Sequence, residues 1–196
     1  PVARTKAADY DEKRNLIMEK AAQLFAREGF AGASLSSLAE ACEVSKSLIY
    51  HYYPSKEAIL YDLMAGHMEE LLAVADEIRE SGASGEAGFR AFTRLLLTRY
   101  TGAAYKQKVL LYELNSLPEA QRDEIVQKQR SLIEYVESLL ASAAPEAAKN
   151  KPRLRAEVML YFGMLNWTHT WFRPKGPVSR DEVADMAANA TLRALK

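Results

Sequence analysis

The chain has 196 residues, of which 26 are basic and 26 acidic, 48% are apolar and one is cysteine. That length suits a small head sharing a core with one larger domain, and the balanced charge removes any general electrostatic footprint for a polyanion. Cys42 has no partner for an internal disulfide, no run approaches the roughly 18 apolar residues of a membrane span, and no charged-then-apolar leader opens the chain. The cytoplasm is the expected location, and Pro1 in place of Met suggests a processed or trimmed start.

Apolar spacing predicts helices throughout, and no strand pattern competes with them. In the first helix Ile17, Ala21, Leu24 and Phe25 share one face, with Gly29 as its C-cap. Ahead of it, Arg4 and Lys6 read as a short basic arm of the kind that reaches along a DNA groove. Leu35, Leu38, Ala39 and Cys42 fall at i, i+3, i+4 and i+7 and predict a compact second helix. Cys42 on that face reads as an ordinary buried thiol. Val44 breaks the register, and Leu48, Ile49 and Tyr52 begin a new stripe, so the axis turns at Glu43 to Ser45. Two helices joined by so short a turn form a helix-turn-helix unit. Pro54 ends the second of them by biasing Tyr53 away from helical backbone, and Ser55 caps the next helix.

A long helix is predicted over 56–80, followed by a flexible linker at 81–85. Further helices are predicted over 86–101, 104–115 and 118–143, the last opened by Pro118 at N1. Residues 144–152 read as a loop. Two final helices fit 153–172 and 181–195, the second opened by a capping box from Ser179 to Glu182. The whole is an all-α chain of about nine helices.

The chemistry concentrates on the third helix. Its outward residues Lys46, Ser47, Tyr50 and His51 bring together a donor for guanine O6 and N7, a hydroxyl for either kind of base edge, and a phenol for phosphate. Between Val44 and Lys56 there are two lysines, one His and no acid, so basic character is local. At the first turn of the next helix, the Lys56 ammonium and backbone N–H groups can share one phosphate. Any amphipathic helix pair in a bundle also has an outer polar face, which is the structural alternative for this segment. An enzyme has little to stand on. His51, His67 and His169 lack metal spacing, Cys42 lacks a visible partner, and no glycine-rich phosphate loop is present, so no catalytic set, metal or cofactor is assigned.

Residues 17–34 and 38–60 resemble the N-terminal domain of the TetR/AcrR family of transcriptional regulators. The resemblance is carried by the Phe25-Ala-x-x-Gly-Phe turn, the Leu48-Ile-Tyr-His-Tyr run and the Pro54-Ser-Lys-Glu junction, in that order. It implies a three-helix DNA-binding head over 1–55 and an all-helical ligand-binding and dimerising domain over 56–196. Ser45, Lys46, Ser47, Tyr50, His51 and Tyr52 become the groove-facing set, and Ser34, Ser36 and Lys56 become phosphate contacts. Leu48 stands where many members have Thr, which removes a polar base contact.

The family's last two helices form a four-helix bundle across a two-fold axis. Val158, Tyr161, Phe162, Leu165, Phe172, Val183, Met186, Ala187 and Ala190 are the apolar residues expected to supply it here. A homodimer of this kind sets two reading helices about 34–36 Å apart and requires a palindromic operator in double-stranded DNA. Apolar walls with a few polar groups are the usual composition of a ligand cavity. By that composition Phe92, Arg94, Tyr112, Asn166, Trp167, His169 and Trp171 are the expected contacts of a small-molecule inducer. Residues 166–177 resemble the branch of the family that releases DNA on binding an acyl-coenzyme A thioester, with Arg94, Arg99, Lys106 or Arg173 as candidates for the coenzyme's phosphates. The expected function is a ligand-responsive repressor. The alternative is a helical small-molecule-binding protein without DNA-binding activity.

Overall fold

The computed structural model describes the backbone from Val2 to Lys196 and the side chains from Asp9 onward. Its elements are α1 (Val2–Gly32), α2 (Leu35–Ala41), α3 (Lys46–Tyr52), α4 (Lys56–Glu80), α5 (Gly85–Gly102), α6 (Ala104–Tyr112), a 3-10 turn (Leu114–Ser116), α7 (Glu119–Ala143), α8 (Pro145–Ala148), α9 (Lys151–Trp171) and α10 (Arg180–Ala194). The class is all-α as expected, with no strand among the described residues. The helix beyond the expected nine is α8, a single turn with Pro145 at its start, inside the stretch read as a loop.

Side-chain caps set the helix starts. Ser34, Ser45, Asn150 and Ser179 each accept a backbone N–H from the third residue onward, and Glu182 returns the bond to Ser179 in the expected capping box. Such bonds satisfy donors that the first helical turn leaves open. Gly29 departs from the sequence reading. At φ +75° and ψ 158° it is not a left-handed cap but a kink inside α1, after which the helix resumes to Gly32. Only glycine takes that backbone cheaply.

Between α2 and α3 the turn closes as a Schellman motif. Val44 N–H bonds Ala39 O at 3.0 Å and Glu43 N–H bonds Glu40 O at 3.0 Å, with Glu43 in the left-handed region at φ 56°. This geometry places the axis change where the apolar register breaks.

The chain divides into two compact units, residues 1–67 with 105–124, and residues 68–104 with 125–196. Helices α4 and α7 contribute to both. The core of the first unit buries Ile17, Leu24 and Phe25 of α1, Leu38 of α2, Ile49 of α3, and Ile59 and Leu60 of α4. Phe25 and Phe30 meet edge to face at 5.3 Å. In the second unit α5 packs on α9 and α10, burying Phe89, Phe92, Leu96, Val158, Tyr161, Leu165, Val183 and Ala187. Arg94 fastens α5 to α10 with a bidentate bond to Asp185, at 2.8 and 2.7 Å. No helix is long and apolar enough to cross a membrane, among the described residues.

Candidate nucleic-acid interface

Helix α3 is only seven residues long and is not stable as an isolated helix, so its packing decides what it shows. Ile49 is fully buried and Leu48 half-buried, which turns Lys46, Ser47, Tyr50 and His51 outward. Tyr50 is 50% exposed, and the Lys46 ammonium lies 6.0 Å from the centre of its ring. One face therefore offers an ammonium, a hydroxyl, a phenol and an imidazole within two turns. These are the donor types that match guanine edges, mixed base edges and phosphate oxygens.

The other expected contacts have more varied positions. Ser45 is exposed, and its hydroxyl accepts from Leu48 N–H at 3.1 Å as the N-cap of α3. Ser34 has the same role for α2, accepting from Ser37 N–H at 3.0 Å and sharing a 2.7 Å bond with the Ser37 hydroxyl. Ser36 is exposed in the first turn of α2. Tyr52 is half-buried under the ring of Tyr10, with His51 edge-on to it at 5.4 Å. Lys56 is turned inward. Its ammonium donates to Phe30 O at 2.7 Å and Ala33 O at 2.9 Å and sits 4.2 Å from the Phe30 ring centre. Two of its three donors are thus committed to the end of α1. The Arg4 and Lys6 side chains lie outside the described residues.

Sequence reasoning missed a polar node behind this face. The buried Tyr53 hydroxyl donates to Asp62 Oδ2 at 2.5 Å, and Arg14 Nη2 donates to the same oxygen at 2.6 Å. Burial, and then the bond to Asp62, holds the Tyr53 hydroxyl well above the ordinary phenol range. The bond to Asp62 likewise raises Arg14. A hydroxyl at the end of an apolar stripe was the only local signal, because Arg14 and Asp62 are 48 residues apart.

The residues expected to meet ligand lie on three helices, α5, α6 and α9. Phe92 is fully buried, edge-on to Tyr135 at 5.4 Å. Arg94 faces solvent in its pair with Asp185. On α9, Trp167 is 61% and Trp171 49% exposed. The His169 Nδ1 lies 2.6 Å from Asn166 O, and its ring meets Trp167 at 6.0 Å. Tyr112 is exposed at the end of α6 and belongs to the first unit, whereas the other six belong to the second. Two surface clefts of the second unit are lined by none of the seven. One of about 550 Å³ includes Arg79, Ser84, Tyr135 and Ser138, and the other of about 430 Å³ includes Thr101, Phe172, Pro174 and Arg180.

Comparison with known proteins gives this geometry a family. Residues 17–63 match the family described as bacterial regulatory proteins, tetR family, and residues 82–195 match tetracyclin repressor-like, C-terminal domain. The crystal structure of a TetR-family transcriptional regulator from Bordetella parapertussis 12822 is 38% identical, with a TM-score of 0.88 over 91% of this chain and 93% of that one. AibR, solved in complex with isovaleryl coenzyme A and operator DNA, shares the fold at 23% identity and a TM-score of 0.77, over 91% of this chain and 97% of its own. The HTH-type transcriptional repressor KstR2 of Rhodococcus jostii (strain RHA1) is 26% identical over 190 residues, 93% of this chain and 91% of that protein. YuxN of Bacillus subtilis (strain 168), an HTH-type transcriptional regulator, is 31% identical over 134 residues, 66% of this chain; the chain spans 45% of that protein's length. Matched at both ends by models of one family, the chain belongs to the TetR family of ligand-responsive, DNA-binding transcriptional repressors, which are regulators and not enzymes.

Proposed function

We propose that this chain is a cytoplasmic, homodimeric repressor that grips a palindromic operator through α3 and releases it when an acyl-coenzyme A thioester binds. The observation that carries the DNA part is the outward set of Lys46, Ser47, Tyr50 and His51 on a helix whose opposite side is sealed by Ile49. In this reading residues 1–55 are the reading head and 56–196 the ligand-binding and dimerising domain.

Dimerisation is supported by an apolar stripe left open on α9. Met159, Leu160, Gly163, Met164, Trp167 and Trp171 are exposed at helical spacing, and Met186 and Ala190 are exposed on α10. A patch of this kind on a soluble chain marks an interaction surface. Several residues expected at the interface from sequence, namely Val158, Tyr161, Phe162, Leu165, Val183 and Ala187, are instead spent inside their own unit. The open stripe on the other side of α9 is the surface offered to a second copy. A two-fold pairing matches such a surface to itself and carries two reading heads to a symmetric operator.

The ligand class rests on the resemblance of residues 166–177 to the acyl-coenzyme A branch and on the isovaleryl coenzyme A bound by AibR. Phe172 and Pro174 of that segment line a cleft with Arg180, whose guanidinium lies 3.8 Å from the Asp181 carboxylate in the same lining. Such a ligand must prefer the DNA-incompetent state, since equal affinity for both states shifts nothing. Helix α4, which like α7 has residues in both units and which follows α3 directly in the chain, is the element taken to link the two events.

A gel shift with the DNA upstream of the chain's own gene tests the reading. Binding is expected to fall with salt by about 0.9 in log K per neutralised phosphate per decade. An acyl-coenzyme A added at saturating concentration is expected to release the duplex, while free coenzyme A does not. A chain that retains no duplex at low salt overturns the DNA assignment. One that retains it in every acyl-coenzyme A overturns the ligand assignment.

A further inference from the structure

Two groups, one from the residue that closes α3 and one from α1, converge on one carboxylate oxygen of α4 behind the reading face. Tyr53 follows α3 directly, in extended backbone at φ −137° and ψ 123°, and its N–H closes the helix on Ile49 O at 2.9 Å. Its side chain turns inward, and the residue is 6% exposed. The hydroxyl ends on Asp62 Oδ2, two turns into α4, and Arg14 of α1 approaches the same atom.

A phenylalanine would serve packing at position 53 equally well. A buried hydroxyl needs a partner, and an ionised acceptor with its own countercharge gives one of the stronger and more directional bonds available. Asp62 itself sits in a fixed frame. At the start of the same helix, the Lys56 ammonium holds the carbonyls of Phe30 and Ala33 at the end of α1. The frame of α1 and α4 is therefore pinned at two places, and α3 is joined to it at the end nearest Tyr50 and His51.

We propose that Asp62 is a positioning residue for DNA reading: through the Tyr53 hydroxyl and the Arg14 guanidinium it latches the end of α3 to α4 and α1, and so sets how Lys46, Ser47, Tyr50 and His51 meet the base edges. This rests on the DNA-binding reading above. The latch distinguishes two kinds of contact. Base edges demand fixed register, whereas phosphates accept a displaced lysine, so loosening the end of a seven-residue helix weakens selective binding and spares general binding.

The test uses the full chain with two probes of equal length, a duplex selected by the wild-type chain from a random pool and an unselected duplex. Tyr53→Phe removes one oxygen and keeps the ring. It is expected to lose about tenfold in affinity for the selected duplex, the size of one disturbed base contact, and at most about twofold for the unselected one. Asp62→Ala is expected to lose at least as much, and the double variant no more than Asp62→Ala alone, because both changes cut one connection. A Tyr53→Phe chain that binds the selected duplex like wild type, or weakens equally on both probes, overturns the latch even when its melting temperature falls. Losses that multiply independently in the double variant also overturn it. Should Asp62→Ala fail to fold, the ratio of the two probes for Tyr53→Phe decides alone. A wild-type chain that holds neither duplex overturns the DNA-binding reading together with the latch, whereas a wild type that selects DNA beside an unaffected Tyr53→Phe overturns the latch only.

Discussion

Tyr10 on α1 lays its ring 4.6 Å from that of Tyr52 at the end of α3, with the two planes tilted by 33°. An aromatic pair of this kind contributes about 0.5–1.5 kcal/mol beyond its buried area, and it covers Tyr52 while Tyr50 remains 50% exposed. The two tyrosines are therefore expected to differ in their effect on DNA. In an anisotropy titration with a selected duplex, Tyr50→Phe weakens binding and Tyr52→Phe changes it little. Lys46→Ala costs about 1 kcal/mol and, if its partner is a phosphate, flattens the salt slope by about one contact. Equal losses for Tyr50→Phe and Tyr52→Phe would place Tyr52 in the groove after all.

Glu43 carries the cost of the turn between α2 and α3. It holds φ 56° without being glycine or asparagine, a conformation that is unfavourable by roughly 1–2 kcal/mol for a residue with a Cβ. Glu43→Gly relieves that strain and adds unfolded-chain entropy, so the net effect expected is a stabilisation of about 0.5 kcal/mol. Urea midpoints of the two chains measure it. A lower midpoint for the glycine variant would show that the exposed Glu43 side chain stabilises the turn in a way its backbone does not reveal.

Leu160 is 65% exposed in the middle of the open stripe on α9. If a second copy covers that stripe, Leu160→Arg buries an unpaired cation at the interface, which costs about 3 kcal/mol or more. Sedimentation equilibrium should then show self-association weakened on the order of 100-fold with helicity unchanged. Both tryptophans of the chain, Trp167 and Trp171, lie on the same stripe. Their emission should shift to the red in the variant, and identical spectra and mass for the two chains would move the interface elsewhere.

Tyr161 makes stability depend on alkaline pH. Burial pushes its hydroxyl far above the ordinary phenol value, with the bond to Thr93 opposing in part. The native state therefore keeps the proton that the unfolded chain gives up above about pH 10. The contribution is complete below the unfolded value and is lost progressively as pH rises past it toward the folded one. Tyr161→Phe removes the titration, and Thr93 keeps its 2.7 Å bond to Phe89 O. Comparing urea midpoints at about pH 7 and about pH 10.5, wild type is expected to lose more stability than the variant. Parallel losses would show that Tyr161 ionises without resistance.

Lys56 and α9 show where reading the chain as text stops. The helices, the capping box from Ser179 to Glu182, the break at Val44 and the stop at Pro54 all depend on neighbours a few residues away, and each was legible. So was the outward set on α3, because one deeply apolar position, Ile49, defines the inside of so short a helix. The direction of the Lys56 ammonium was not legible, since its acceptors lie 26 and 23 residues earlier. A phosphate contact and an internal tie look alike in one dimension.

Helix α9 posed a different difficulty. It carries apolar residues on both sides, so periodicity identifies two stripes without saying which one faces the chain's own core. Packing with α5 and α10 resolved that choice, enclosing Val158, Tyr161 and Leu165 and leaving Leu160, Trp167 and Trp171 outside. By itself, then, the amino-acid order determined the all-helical fold and the outward set on α3, because local hydrogen bonding and the 3.6-residue repeat suffice for both. Only the tertiary structure decided which cations are committed, which aromatics stay exposed and what holds α3 in place, because those outcomes depend on groups that are distant along the chain and meet only once it has folded.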